Sequence, residues 1–213
     1  MIWRQLRIRA TVLALTAAIV GASGCGGESP ELTGFEREPA PNVAELSLPD
    51  LANDGEDFPI KAPPGELLLV YFGYTNCPDF CPTTMSDVKL ARNRLDERDA
   101  ERVDVALVTV DPDRDLPILA DYVQGFVADG HALGTDDPAA LARVAAPFGV
   151  TYLITENPET GEPEVTHSTW LYAVDDEGDL VVTWQFGVTI DELAQDIEIL
   201  LDRIDADGEG DTT

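Results

Sequence analysis

Apolar and polar positions fall in blocks along the chain, and the period of the blocks changes. Leu67-Leu68-Leu69-Val70-Tyr71-Phe72 is an unbroken apolar run between Pro63-Pro64-Gly65 and Gly73, the pattern of a strand buried on both faces. Val103 to Val110 repeats that pattern and is closed by Asp111-Pro112-Asp113. Between the two runs a helix is predicted around Pro82, which suits a first helical turn, with Val88, Ala91 and Leu95 on one face. Further helices are predicted over Leu116–Phe126, with Pro117 at its first position, and over Pro138–Phe148, with Pro147 marking the end. Val150 to Thr155 reads as a strand and Glu156 to Pro163 as a polar turn. Thr169–Val174 and Leu180–Phe186 flank Asp175-Asp176-Glu177-Gly178 and read as a β-hairpin. In the last helix Ile190, Leu193, Ile197, Leu200, Leu201 and Ile204 line one face, and Thr189 with Glu192 forms a capping box. Strand–helix–strand units followed by a hairpin and a final helix predict an α/β domain with a central mixed β-sheet flanked by helices.

The N-terminal segment follows a different grammar. Arg4, Arg7 and Arg9 precede the apolar run Ala10–Val20, and Gly21-Ala22-Ser23-Gly24 leads into Cys25. A basic region, a short apolar region and small residues before a cut site predict an export signal over residues 1–24. The small residues before Cys25 resemble a bacterial lipoprotein cleavage box, departing from it at Ala22, where Leu is usual. That resemblance implies lipidation of Cys25 and a domain held by a lipid anchor on the extracytoplasmic face of the cell membrane. An uncleaved anchor or ordinary secretion would leave the domain on the same side. Residues 25–41, rich in Gly, Glu and Pro, read as a flexible tether, 42–204 as one domain, and 205–213 as a disordered acidic tail.

The chain has 213 residues, and its 41 acids against 13 bases give a formal net charge of -28. Such a chain repels phosphate backbones, so nucleic acid is excluded as a partner. Removing residues 1–24 would take away three arginines and no acid, making the remainder more acidic still.

Candidate chemistry gathers at the two cysteines that remain after Cys25. Cys77 and Cys81 follow the first buried strand and open a helix in Gly73-Tyr74-Thr75-Asn76-Cys77-Pro78-Asp79-Phe80-Cys81-Pro82. Sulfurs four residues apart near a helix start can share a metal ion or a disulfide. The positive end of the helix dipole favours their thiolates. A structural disulfide is one reading, though closing so short a loop constrains the unfolded chain little. A soft-metal site is another, because thiolates select Cu(I), zinc or iron–sulfur clusters.

Of the two histidines, His167 lies in Val165-Thr166-His167-Ser168-Thr169-Trp170 just before a predicted strand. His131 lies in a predicted linker between helices and reads as a surface residue. Two cysteines and one histidine fall short of the four ligands of structural zinc and suit three-coordinate copper. Asp111 reads as a turn former or as an orienter of the cysteine loop, Asp79 as an exposed acid, and Met85, Trp170 and Trp184 as packing residues.

Tyr71 to Thr84, Val108 to Asp115 and His167-Ser168-Thr169 together resemble the Sco/SenC family. The resemblance implies a thioredoxin-like fold and a copper site made by Cys77, Cys81 and His167, holding Cu(I) with Cu(II) left open. It also implies a role in metallating the dinuclear copper centre of cytochrome c oxidase subunit II, with a copper donor or thiol reductant as further partner. Asn76 stands where many members have His, and Thr166 where Asp is common. Two other readings stay open. One is a thiol–disulfide oxidoreductase in which Cys77 and Cys81 are the redox-active pair. The other is a peroxiredoxin-like peroxidase, whose nearest cations would be Lys89 and Arg92.

Overall fold

The apolar run over residues 67–72 sits at the centre of the protein. The structure, a computed structural model, describes residues 31–210. Strand β4 (Leu67–Gly73) is buried at all seven positions. It runs parallel to β5 (Val103–Thr109) in a register from Leu67 opposite Val103 to Gly73 opposite Thr109. Its other edge pairs antiparallel with β9 (Leu171–Val174). Counting in chain order, the remaining strands are β1 (Phe35–Glu36), β2 (Ser47–Asp50), β3 (Glu56–Pro59), β6 (His131–Leu133), β7 (Tyr152–Glu156), β8 (Pro163–His167) and β10 (Leu180–Trp184). The main sheet has eight strands in the order β1-β10-β9-β4-β5-β6-β2-β3, and β7 with β8 forms a separate two-stranded ribbon. Parallel β4–β5–β6 flanked by antiparallel neighbours make the sheet mixed.

The helices are α1 (Phe80–Arg92), α2 (Glu97–Ala100), α3 (Pro112–Asp115), α4 (Leu119–Phe126), α5 (Pro138–Phe148) and α6 (Ile190–Gly210). Helix α1 buries Cys81, Thr84, Met85, Val88 and Ala91, and its Pro82 lies in the first turn as expected. The capping box of α6 forms: the Glu192 carboxylate accepts the Thr189 N–H at 2.9 Å, and the Thr189 hydroxyl accepts the Glu192 N–H at 3.2 Å. The β9–β10 hairpin turns at Gly178, where φ is 83°. A Cβ there would come within 2.5 Å of the Ala44 Cβ, so the turn requires glycine on both counts.

Five expectations change. Residues 31–36 are built into the domain where a tether was expected: β1 pairs with β10, and the buried Asp196 carboxylate accepts the Thr33 and Gly34 N–H groups at 3.0 and 2.8 Å. Where a frayed tail was expected, α6 continues to Gly210, and Asp205 pairs with Arg98 and Arg102 at 3.0 and 2.6 Å. The helix expected over Leu116–Phe126 begins only at Leu119: Leu116 caps the short α3, Pro117 lacks the N–H that would continue a helix through it, and α4 starts beyond it. His131 opens β6 and is half-buried, its Nδ1 2.8 Å from an Asp50 carboxylate oxygen and its ring 4.1 Å from that of Phe58. Trp184 packs in the core and donates to Asp196 at 2.7 Å. Trp170, just before β9, is 39% exposed and does not pack inside.

No helix among the described residues is long and apolar enough to cross a membrane. The export segment and Cys25 lie outside the described residues.

Candidate metal centre

The cysteine loop is fixed from three sides. It leaves β4 at Gly73, where an added Cβ would lie 3.1 Å from Cys81 Sγ and 2.8 Å from the Tyr71 ring. Only glycine lets the strand end this close to the sulfur. Cys77 precedes α1 and Cys81 occupies its first turn, so the Cys81 N–H is one of the donors a helix start leaves unpaired. It donates to Cys77 Sγ at 3.3 Å. Both cysteines are free thiols and both are buried.

The third side is Asp115. This fully buried carboxylate accepts the Thr75 N–H at 3.0 Å, the Thr75 hydroxyl at 2.5 Å and the Thr109 hydroxyl at 2.6 Å. It therefore ties the cysteine loop to the end of β5. The sequence reading missed this residue and weighed Asp111 in its place. Asp111 is instead buried against the Arg114 guanidinium, and burial pushes its carboxyl above the usual range despite that cation. Asp111, Asp113 and Asp115 share one short turn, and nothing local distinguishes the acid that faces Thr75.

The imidazole comes from the ribbon. His167 ends β8 directly opposite Tyr152 of β7. Its Nδ1 lies 2.7 Å from the Ser168 carbonyl, which can only accept, so Nδ1 carries the proton and Nε2 keeps its lone pair. Nε2 is 3.5 Å from Cys81 Sγ. Burial holds the His167 pKa below its ordinary value, which keeps the ring neutral. The rings of Tyr74 and Tyr71 stand edge-on to it at 5.5 and 6.2 Å, and the Tyr74 hydroxyl reaches the Val165 carbonyl at 3.5 Å.

The Sγ atoms of Cys77 and Cys81 and a ring nitrogen of His167 all lie within 4.8 Å of one another. Donors about 2.0–2.3 Å from one shared ion stand roughly 3.5–4 Å apart, so small movements suffice to close this set on a metal. Burial, together with its contact to Cys77, pushes the Cys81 thiol up to about 12. A metal ion bound there would displace that proton, since the thiolate is the ligand form. The Tyr71 hydroxyl donates to Cys81 Sγ at 3.7 Å and would support the thiolate.

Among the described residues this is the group of metal-donor side chains that converges. His131 stays with Asp50, Met85 fills the core, and Asp79 is exposed. Lys89 is exposed and Arg92 is engaged by Asp129 at 2.6 Å, which leaves the peroxidase reading without its cation.

Comparison with known proteins agrees with this geometry. A SCO1/SenC family model matches residues 46–202. A Stutzerimonas stutzeri protein named as copper-binding is 29% identical over 161 residues, covering 76% of this chain and 78% of that one. A SCO2-like protein of Rickettsia prowazekii is 28% identical over 144 residues, 67% of this chain and 69% of its own length. The solved structure of Bradyrhizobium japonicum ScoI with copper bound superposes with a TM-score of 0.61 at 27% identity, covering 72% of this chain and 95% of that one. The chain belongs to the SCO1/SenC family and has its thioredoxin-like fold.

Proposed function

We propose that the protein binds copper through Cys77, Cys81 and His167 and delivers it as Cu(I) to the dinuclear copper site of cytochrome c oxidase subunit II. The observation that carries the reading is the convergence of two thiols and a neutral imidazole within 4.8 Å. Two thiolates and one nitrogen are a soft set, suited to a monovalent ion and too few for closed tetrahedral zinc. The copper named for the Stutzerimonas relative and bound in the Bradyrhizobium structure supports the same ion. Release proceeds by ligand exchange, with acceptor thiolates replacing this set one at a time. Cys81 recovers its proton readily, because its burial favours the neutral thiol. Lipidation at Cys25 would hold the domain at the extracytoplasmic membrane face, within reach of a membrane-bound oxidase.

His167→Ala tests the assignment. Cu(I) affinity, measured by competition with a chromogenic chelator, should fall at least tenfold, and X-ray absorption should lose its nitrogen neighbour and keep two sulfurs. Parent-like affinity in His167→Ala would falsify the ligand set.

A second reading rests on the unequal burial of the two free thiols. Cys81 is wholly buried, whereas Cys77 retains slight exposure. Cys77 would attack an acceptor disulfide and Cys81 would displace the mixed disulfide, so two thiols become one disulfide while the acceptor gains two thiols. Turnover of protein disulfides by the metal-free protein, lost in Cys81→Ser, would support it.

A further inference from the structure

The surface around the metal donors is unlike the rest of this acidic molecule. Phe80, between the two cysteines, is 45% exposed, and Phe186, just past β10, is 42% exposed. Their rings meet edge to face at 4.8 Å. Trp170 precedes Leu171, which pairs with Trp184, so it stands at the same end of the β9–β10 hairpin as Phe186. On the ribbon, Ile154 pairs with Val165 and shares a face with His167, two residues along β8. It is 44% exposed.

Charge is sparse on this rim, with Asp87 of α1 lining the groove beside Phe186. Across 74–80, 167–170 and 185–189 the one charged side chain is Asp79, although a quarter of the whole chain is charged. Exposed aromatics that touch each other, ringed by a strongly anionic surface, form the kind of patch that monomeric proteins reserve for partners.

The donors themselves say what the partner must do. Cys81 is fully buried and Cys77 nearly so. Ligand exchange brings an incoming thiolate to bonding distance, about 2.3 Å from the metal. A chain segment carrying such a thiolate has to press onto the rim to reach that depth. We propose that Phe80, Phe186, Trp170 and Ile154 form the docking rim for the copper-exchanging partner, a protein presenting cysteine thiolates. The proposal rests on the copper-delivery reading and adds its partner surface. The sparsely charged rim gives register by apolar contact around the buried donors.

The test uses the full chain in detergent, loaded with Cu(I), and the double variant Phe186→Ser/Trp170→Ser. Transfer is followed in parallel to the soluble domain of cytochrome c oxidase subunit II and to the small chelator bathocuproine disulfonate. The expected result is at least a tenfold slower transfer to the protein acceptor with transfer to the chelator unchanged within twofold. Phe186→Leu, which keeps an apolar side chain, should retain most of the protein-directed rate. Equal losses in both arms would place these residues in the metal site and overturn the proposal, as would no loss in either. Sedimentation showing that the parent chain dimerises through this face, with the variant monomeric, would also overturn it by assigning the rim to a second copy. A parent protein that loads copper but passes none to the acceptor would instead sink the delivery reading, a distinct result.

Discussion

The two halves of the candidate metal site are held very differently. The sulfurs sit between β4, buried at every position, and the first turn of α1: Cys77 in the connecting loop and Cys81 in the helix. The imidazole sits on the β7–β8 ribbon, where β7 is exposed at four of its five positions. A lone two-stranded hairpin is marginal in water, so the ribbon depends on its contacts with the body, among them Tyr74 to the Val165 carbonyl. The difference separates a rigid pair of donors from a third donor carried on a marginal element. The sulfur half is preorganised, whereas the nitrogen half rests on a largely exposed ribbon that meets the core through the partly buried Tyr152 and Val165. The largest effects should therefore appear on the sulfur side. Leu69→Ala in β4, fully buried, should cost about 2–5 kcal/mol in chemical denaturation. Leu153→Ala on the ribbon, 61% exposed, should stay within about 0.5 kcal/mol. Similar costs at the two positions would erase the contrast.

Metal binding should close the gap between the halves. With free Cu(I) at a hundred times its dissociation constant, the folded state gains about 2.7 kcal/mol relative to the apo protein. Hydrogen exchange should show where that gain is spent. Ribbon amides should slow at least tenfold on loading, because a bound imidazole fastens β8 to the body, while β4 and β5 amides, already protected, should follow only the global change. Ribbon amides that keep their apo rates would remove His167 from the ligand set.

The cysteine half has its own weak point at Asp115. Asp115→Ala leaves the Thr75 N–H and the Thr109 hydroxyl without their buried acceptor, at a cost of about 2 kcal/mol. The loop should then hold its sulfurs less firmly, and Cu(I) affinity should drop with stability. Thr75→Val, which keeps the N–H bond and loses the hydroxyl bond, should show the smaller share of both effects. A variant that lost affinity with no change in denaturation midpoint would show Asp115 acting on the metal rather than on the loop.

The same contrast separates what the sequence disclosed from what it hid. β4, β5, the hairpin and α6 were legible because each announces itself within a few residues, by a run of apolar side chains, a turn or a capping box. The cysteine pair was legible for the same reason. His167 is 86 residues from Cys81, so no local pattern joins them; the tally of soft donors suggested the set and the resemblance assigned it. Asp115 and β1 were missed because their partners are remote. The carboxylate that captures Thr33 is 163 residues away, and a two-residue strand has no periodicity to read. Likewise His131 looked like a surface residue because Asp50, which fixes it, is 81 positions distant. What failed was pairing across the chain, not the recognition of elements.

The smallest expected effect lies in the pH dependence of the ribbon without metal. Burial lowers the His167 pKa in the folded protein below its value in the unfolded chain, about 6.5. The unfolded state then binds more protons between those two values, so stability rises with pH there. The contribution is fully present above about pH 6.5 and is lost as pH falls through the folded value. His167 retains some exposure, so solvent screens part of the effect. Comparing the apo parent with His167→Gln at pH 7.5 and 5.5 isolates it, because the other titrating groups are common to both chains. The parent should lose more stability than the variant on acidification, and its ribbon amides should exchange faster at pH 5.5 after correction for intrinsic rates. The β4 amides should change in step with global stability only. If the ribbon and β4 responded alike, protonation of His167 would be unfolding the whole domain, and the imidazole would have to be counted with the rigid half of the site.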